Sequence, residues 1–436
     1  MIALADHGPD ILQEEQSGVG NFLGALGPGL VTGAADDDPS GIATYSQAGA
    51  QFGYGLGWVL VLTLPLMIVI QDVAARIGRV TGAGIAANLR RHYSSKMLGA
   101  VVLLLLLANI INLGADRSAM GAALALFIGG NGALYTLIFG ILCVLLEVFI
   151  SYPRYASILK WTTLSLFTYF AVVIVAGVDW PKMLRSLVLP DLQWNQPYVT
   201  TMVAILGTTI SPYLFFWQAG QEIEEEHRHH AKPLCLAPKD AGPELARIRK
   251  DTLVGMTFSN IVALAIVIAT AATLNAHGVT DIATSAQAAE ALRPIAGNFA
   301  FALFALGIIG TGMLAIPILA GSAAYAVTEI VGVAGSLDTK PLKAKFFYAT
   351  IALTVLAGAA LNFVGTDPIR ALYWAAVVNG VLAAPVMAAM MLIVRNPRAM
   401  GKLTLSAGMT ILGWFSTAMM FATSAVFFIF LVTQTY

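Results

Sequence analysis

The feature that most constrains this chain is a succession of long apolar runs separated by short polar segments. A run of about twenty apolar residues spans the hydrocarbon core of a bilayer as a helix. Hydrophobic residues make up 58% of the 436 residues and charged residues 11%, a composition too apolar for a soluble domain. Because backbone polar groups in lipid must be bonded internally, runs of helical length predict an all-α integral membrane protein.

Eleven membrane spans are predicted from these runs. Most of the 24 basic residues then fall in loops on one side, which places the N-terminus in the cytoplasm and the C-terminus outside the cell membrane. No signal peptide is expected, because no basic residue precedes Arg76. Residues 1–21 are predicted to be a cytoplasmic tail, and 22–436 a single transmembrane domain. The spans cover residues 22–52 (broken), 55–77, 97–128, 132–152, 155–178, 198–222 (broken), 252–276, 298–332, 344–364, 370–394 and 403–433.

Three consecutive carboxylates, Asp36, Asp37 and Asp38, interrupt the first apolar span. Each would cost roughly 2.5–3.5 kcal/mol at the bilayer midplane, so three facing lipid would cost roughly 7–10 kcal/mol. Pro39 lacks a backbone donor, and together with Gly41 it predicts a break in the helix. A broken helix that carries carboxylates at mid-depth is typical of a transporter's cation site. The alternative is a polar loop at the membrane surface, but apolar sequence on both sides favours the site.

A second interruption lies in the sixth span, where Ser211-Pro212 follows Gly207, Thr208 and Thr209. Interrupted spans in corresponding positions indicate an inverted repeat around a central site. Repeat one would cover about 22–178 and repeat two about 198–394, with an extra helix at about 403–433. The alternative is a simple proline kink. Neither break contains Met, Cys or His, so nothing there selects a soft metal.

Three motifs resemble the NRAMP family of divalent-metal transporters: Gly-Pro-Gly at 27–29, Asp38-Pro39-Ser40-Gly41, and the stretch Ala74-Ala75-Arg76 to Thr81-Gly82. The resemblance is best through the first six spans. It implies a LeuT-like fold of two inverted five-helix repeats, with broken first and sixth helices and one extra helix. It also implies that the metal ion is the transported substrate, so no cofactor is expected.

The departures from the family pattern concern the metal and the proton. The family's first-helix motif is Asp-Pro-Gly-Asn, where Ser40 and Gly41 stand here, and its sixth-helix motif is Met-Pro-His, where this chain has Ser211-Pro212-Tyr213. Asp116 matches an acid of the family's proton pathway, but Ala119 replaces a second one. These changes resemble the branch of NRAMP-related magnesium transporters. Mg²⁺ demands oxygen ligands and releases its waters reluctantly, which suits a site without sulfur.

The sequence therefore predicts an importer of Mg²⁺, and also of Mn²⁺, that works by alternating access without obligatory proton coupling. Asp38 would bind the ion, and Thr208, at the position of a family backbone ligand, would offer a carbonyl or hydroxyl. Asp36 and Asp37 would be outer-lying acids or secondary contacts. The bilayer and the ion are the expected partners; the zero net charge gives no reason to expect nucleic acid, and a monomer is compatible. The predicted metal-site residues are Asp38, Thr208, Ser211, Gly41, Thr209, Asp37, Asp36, Glu222 and Asn379.

Other charged residues have two interpretations each. The segment 222–230, rich in Glu and His, is either a cation vestibule or sensor, or a solvated loop, and for 224–230 we favour the loop. Asp116 and Arg117 form a candidate internal pair. Glu147 and Glu329 lie in apolar spans and are functional candidates for that reason.

Three rival functions remain. The first is an ordinary proton-coupled Mn²⁺ or Fe²⁺ transporter of the NRAMP type. The second is a sodium-coupled carrier of organic solutes with the same fold, against which the Asp cluster argues. The third is a membrane enzyme or a sensor, but the sequence contains neither His-Glu-x-x-His nor Gly-x-Ser-x-Gly.

Overall fold

The computed structural model describes residues 32–33, 35–149, 165–333, 335–361 and 367–433. Every regular element in these ranges is helical. The helices that lie in the predicted spans are α1 Pro39–Phe52, α2 Gly57–Thr81, α3 Ser95–Ile128, α4 Gly132–Phe149, α5 Phe167–Val175, α6 Gln196–Thr209, α7 Pro212–Arg228, α8 Ala241–Thr273, α9 Ala300–Val331, α10 Lys345–Leu361, α11 Pro368–Val394 and α12 Ala407–Thr433. Short helices at Ile85–His92, Trp180–Val188, Ser285–Glu290, Arg293–Ala296 and Pro397–Met400, and 3₁₀ turns at Pro238–Asp240, Asn275–His277 and Gly297–Phe299, connect them.

The helices confirm an all-helical membrane protein. Within the described ranges, seven helical segments are long and apolar enough to cross a membrane, with α6 and α7 taken together, and α4 and α10 are shorter apolar helices. Most predicted spans match a helix to within a few residues, but the span predicted to start at 252 begins at Ala241, because its helix continues through a charged segment. The tail 1–21 and the predicted span residues 22–31, 34, 150–152, 155–164 and 362–364 lie outside the described residues.

The first predicted break is confirmed around Asp38. Ala35 and Asp36 are helical, Asp37 and Asp38 are not, and α1 starts at Pro39. Asp38 is the N-cap of α1, and its carboxylate accepts a hydrogen bond from the Gly41 amide. Proline at the first helical position loses no hydrogen bond, because that amide has no partner within the helix.

The second predicted break is confirmed between α6 and α7. Ile210 and Ser211 lie outside both helices, and Ser211 has an extended backbone with φ −84° and ψ 129°. Pro212 opens α7 as its first residue. The span is therefore interrupted rather than merely kinked.

The two broken helices lie together at the centre of the molecule. α1 packs against α6, α8 and α11, while α3 packs against α9, α10 and α11. α6 and α11 touch through backbone: a Cβ on Gly207 would lie 2.0 Å from the Ala376 carbonyl oxygen and 2.3 Å from the Gly380 nitrogen. Small residues allow this close approach between membrane helices, and α12 packs on α11 at the edge.

An ion-pair network joins α2, α7 and α8 at one end of the molecule. Arg79 binds Glu226 at 3.0 Å and Glu244 at 3.1 Å. Arg247 binds Glu222 at 2.6 Å and reaches Glu244 at 3.5 Å, so Glu244 connects the two arginines. Arg79 also donates to the Lys232 carbonyl oxygen in the segment after α7. We refer below to Arg79, Glu222, Glu226, Glu244 and Arg247 as the ion-pair network.

Candidate metal site

Asp38 is buried at the first break and held by three donors. Its Oδ1 accepts from the Ser40 hydroxyl at 2.6 Å and the Gly41 amide at 2.8 Å. Its Oδ2 lies 3.2 Å from the Tyr213 hydroxyl, which comes from the start of α7 beyond the second break. The two breaks therefore meet at the Asp38 carboxylate. Gly41 contributes its amide to this arrangement.

Thr208 faces the first break from α6. Its Oγ1 would lie 3.1 Å from a Cβ on Gly41, and this hydroxyl is buried without a hydrogen-bond partner among the described residues. The other two hydroxyls of the second break turn back onto their own chain. Thr209 donates to the Ile205 carbonyl at 2.9 Å, and Ser211 donates to the Gly207 carbonyl at 2.8 Å. Thr208 is thus the hydroxyl of this break that does not bond to its own helix, and it faces the Tyr45 hydroxyl instead.

Asp36 and Asp37 are as deeply buried as Asp38. Both face α8, where the Ser259 hydroxyl lies 2.7 Å from Asp36 Oδ2 and 3.3 Å from Asp37 Oδ1. Within the described ranges, Asp36 Oδ1 and Asp37 Oδ2 have no partner. Sequence reasoning missed Ser259, although Ser259 and Asn260 form a polar pair inside an apolar span that could have indicated it.

A polar stripe on α3 also reaches the centre. Asn109, Asn112 and Asp116 follow the spacing i, i+3, i+7, which places them on one helix face. Asn112 donates to the side-chain oxygen of Asn379 on α11 at 2.8 Å, so the predicted residue Asn379 lies in the interior and is held from α3. This spacing is the sequence signal for Asn112.

Glu222 lies in the ion-pair network. Its carboxylate is buried and pairs with Arg247 at 2.6 Å, and among the described residues no hydrogen bond joins it to Asp38 or Thr208. Glu224 departs from the solvated-loop interpretation. It is buried and accepts from Tyr325, from Ser336 at 2.7 Å and from the Leu337 amide at 2.9 Å. His229, with an exposed side chain, is solvated as expected.

Among the remaining charged candidates, Arg117 lies close enough to Asp116 and Glu147 to interact electrostatically with both. Asp116 and Arg117 form no direct pair: the Arg117 Nε donates to the Leu113 carbonyl at 2.8 Å, and both Asp116 oxygens lack a partner in the described structure. Glu147 is buried, with both oxygens unpartnered among the described residues. Glu329 accepts from the Ala87 amide at 3.0 Å, at the start of the short helix Ile85–His92, which is a structural role.

The centre of the molecule therefore contains four buried carboxyl groups without a salt-bridge partner among the described residues. Asp36, Asp37, Asp38 and Asp116 are each at most 1% exposed, and in the described part of the chain none of them pairs with Lys or Arg. Buried charge is stable only when it is paired, protonated or bound to a metal. No group of three or more His, Cys, Asp or Glu in a metal-binding arrangement occurs among the described residues. A cation here would therefore be held by a carboxylate together with hydroxyl and carbonyl oxygens.

One sulfur lies near the first break, which inspection of the breaks alone could not show. A Cβ on Gly312 of α9 would lie 2.6 Å from the Met120 Sδ and 3.2 Å from the Pro39 ring. Met120 follows Asp116 by one helical turn on α3 and is buried. The surroundings of the site therefore include a soft atom supplied by α3.

Comparisons with known proteins agree with this architecture. The family model of natural resistance-associated macrophage protein-like (Nramp) proteins matches residues 29–430, so the likeness continues well beyond the first six spans. The divalent metal cation transporter MntH of Klebsiella pneumoniae is 26% identical over 412 residues, 90% of each chain. MntH of Yersinia enterocolitica is 27% identical over 297 residues, which are 67% of this chain and 69% of that one.

The fold has a close counterpart among solved structures. The manganese transporter of Eremococcus coleocola, in complex with an aromatic bis-isothiourea substituted compound, superposes with a TM-score of 0.72 at 16% identity. The match covers 95% of this chain and 87% of that one, so the LeuT-like fold implied by the resemblance is confirmed. Since the family model spans nearly the whole sequence, the chain is a multi-pass membrane protein that belongs to the Nramp family, a family of transporters and not of enzymes.

Proposed function

We propose that this protein carries a divalent metal ion across the membrane, and that the ion binds where the two helix breaks meet. The observation that carries the proposal is the set of buried carboxylates at this point that lack a cationic partner among the described residues. Asp38 is the principal ligand, directly or through water, and Thr208 supplies a hydroxyl or carbonyl oxygen. Gly41 leaves the space between them, because a side chain there would meet the Thr208 hydroxyl at 3.1 Å.

Alternating access requires that the site opens to one side at a time. A polar cavity of about 310 Å³ is lined by Ala43, Gln47 and Gln51, which follow one face of α1 away from the break. The ion-pair network ties α2, α7 and α8 together elsewhere. We propose that the cavity is the entry route and that the network holds the opposite side closed. From the distribution of Lys and Arg, we infer that the network lies on the cytoplasmic side.

The relatives favour manganese as the ion. Both named MntH proteins are divalent metal cation transporters, and the structural counterpart is a manganese transporter. Mn²⁺ accepts oxygen ligands readily, and Met120 offers a thioether nearby. We therefore take Mn²⁺ transport, the alternative in the sequence analysis, as the first candidate.

Magnesium is the second candidate, and one observation favours it. The donors at the two breaks are oxygen atoms, because Ser211 and Tyr213 stand where the family pattern has Met and His. A hard oxygen site suits a partly hydrated Mg²⁺. With Tyr213 in place of that histidine and Ala119 in place of the second acid, we further propose that proton coupling is not obligatory. The eleven-span, two-repeat organisation, the tail 1–21, the cytoplasmic N-terminus and the external C-terminus belong to the same proposal.

The test is uptake of Mn²⁺ and of Mg²⁺ into proteoliposomes that contain a pH-sensitive dye. We expect Mn²⁺ uptake by the wild-type protein, competition by Mg²⁺, no obligatory acidification of the lumen, and loss of uptake in Asp38→Ala. Asp191→Ala, which removes an exposed loop carboxylate, is the matched control and should transport normally. Undiminished uptake in Asp38→Ala would refute the site, and uptake strictly dependent on a proton gradient would refute uncoupled transport.

A further inference from the structure

The carboxylates of Asp36 and Asp37 have different hydrogen-bond partners from the carboxylate of Asp38. Asp38 is held by Ser40, Gly41 and Tyr213. Asp36 and Asp37 instead turn to Ser259 on α8. The absence of a three-ligand cluster among the described acidic, His and Cys residues agrees with this division. The three consecutive Asp residues therefore make their hydrogen bonds in two different places.

The contacts of the pair leave it short of positive charge. Ser259 has one hydroxyl proton, so it can donate to only one of the two carboxylates that it touches. Asp36 Oδ1 and Asp37 Oδ2 are buried without a partner among the described residues. Two adjacent buried carboxylates are mutually repulsive and poorly solvated, so a bound cation would stabilise them.

Two buried hydroxyls, those of Thr208 and Tyr45, lie beside the first break. The Thr208 hydroxyl, the Tyr45 ring edge and the Asp36 carbonyl oxygen lie 3.1, 3.3 and 3.4 Å from a Cβ position on Gly41. The two hydroxyls approach each other, and the Tyr45 hydroxyl also interacts electrostatically with Asp36 and Asp37. Apart from this contact, neither hydroxyl has a hydrogen-bond partner among the described residues. Hydroxyl and carboxylate oxygens together are the ligands of a hard cation.

We propose that Asp36 and Asp37 form a second cation position beside the Asp38 site. Asp36 Oδ1 and Asp37 Oδ2 are its charged ligands, Thr208 and Tyr45 face it with hydroxyls, and Ser259 fixes the orientation of the pair. This inference rests on the proposed function, because the ion that occupies the second position is the transported divalent cation. Asp36 ends the helical segment before the break, whereas Asp37 and Asp38 lie within it, so an ion moving from the pair to Asp38 passes along the break.

The test is the number of Mn²⁺ ions bound per chain, measured on the full-length protein in detergent from the electron paramagnetic resonance signal of free Mn²⁺. We expect two in the wild-type protein, one in Asp38→Ala, and one in the isosteric double variant Asp36→Asn/Asp37→Asn. Ser259→Ala should weaken one of the two positions by about 10–100-fold, as expected for removal of a residue that orients a ligand. Thr252→Val, which removes another buried hydroxyl on α8, is the matched control and should bind two.

The number of Mn²⁺ ions bound by each variant supports or overturns the second cation position. A single wild-type ion that is unaffected by the double variant would overturn the second position. Loss of all binding in the double variant, with an unchanged elution profile, would show one shared site and would overturn it equally. If the double variant does not fold, the test rests on Ser259→Ala, which changes no charge. Two Mn²⁺ affinities equal to those of the wild-type protein would then overturn the proposal. Full retention of both ions in Asp38→Ala would instead refute the Asp38 site while leaving the pair intact.

Discussion

The contact between α6 and α11 makes Gly207→Ala a sensitive test of how the site is held. The new Cβ would lie 2.0 Å from the Ala376 carbonyl oxygen, whereas ordinary contacts begin at 3.4 Å. The helices would have to separate by the difference, roughly 1.4 Å, and overpacking of this kind costs about 1–3 kcal/mol. We expect the free energy of unfolding to fall by an amount near the upper end of this range, about 3 kcal/mol, because both partners are backbone atoms and neither can rotate away.

The separation of α6 from α11 should also impair transport, because Gly207 directly precedes Thr208 and Gly380 directly follows Asn379. A shift of about 1 Å at a reacting or binding centre can cost about a hundredfold, so we expect Mn²⁺ uptake to fall at least about tenfold. The assays are thermal unfolding in detergent and initial uptake into proteoliposomes. Gly99→Ala is the control, since Gly99 is an exposed helical glycine with no atom within 4 Å of the new Cβ. That variant should be stabilised by about 0.5–1 kcal/mol. Wild-type stability and uptake in Gly207→Ala would refute the reasoning.

Three further predictions concern the surroundings of the site. Arg247→Ala should lower the free energy of unfolding by about 2–4 kcal/mol, because it leaves Glu222 buried without its partner, although Arg247 itself is 26% exposed. Asn112→Ala should reduce Mn²⁺ uptake about fivefold to tenfold, because Asn379 loses a buried hydrogen bond worth about 1 kcal/mol or more. His229→Ala should leave uptake unchanged and shift stability by less than about 0.5 kcal/mol, since its side chain is 71% exposed.

Each of these three predictions can be contradicted by a specific result. Arg293→Ala breaks an exposed pair with Glu290 and should cost no more than about 1 kcal/mol in the same unfolding assay. An equal loss in both arginine variants would contradict the buried role of Arg247. If Asn112→Ala takes up Mn²⁺ at the wild-type rate, the polar stripe on α3 does not contribute to the site. Loss of uptake in His229→Ala, with the protein still folded, would revive the sensor hypothesis.

The helices and both breaks were predictable because their causes are local. An apolar run of about twenty residues has few alternatives in lipid, and Pro39 and Pro212 each remove a donor within such a run. Asp38 and Thr208 could be proposed as site residues from the sequence because each lies at or near a break. The charged start of α8, from Ala241, was not predicted, because hydropathy marks the part of a helix that lies in lipid and not its extension beyond it.

The partners of the buried acids were not predictable, because they depend on packing between distant helices. Asp36 and Asp37 meet Ser259 across more than two hundred residues of sequence, at separations of 223 and 222. From its position alone, Glu222 seemed available as a metal ligand, but its carboxylate forms an ion pair with Arg247. Met120 lies on a helix without a break, and it reaches the site only through the packing of α3 against α9. A single sequence contains no direct record of such contacts.

The most direct test of the account is the position of Mn²⁺ in a crystal of the full-length protein, located by anomalous scattering. The account predicts an anomalous peak at the meeting point of the two breaks, in contact with the Asp38 carboxylate or one water away from it, with an oxygen of Thr208 beside it. The peak should vanish in crystals of Asp38→Ala. A well-occupied peak elsewhere in the molecule, with none at Asp38, would contradict the central claim.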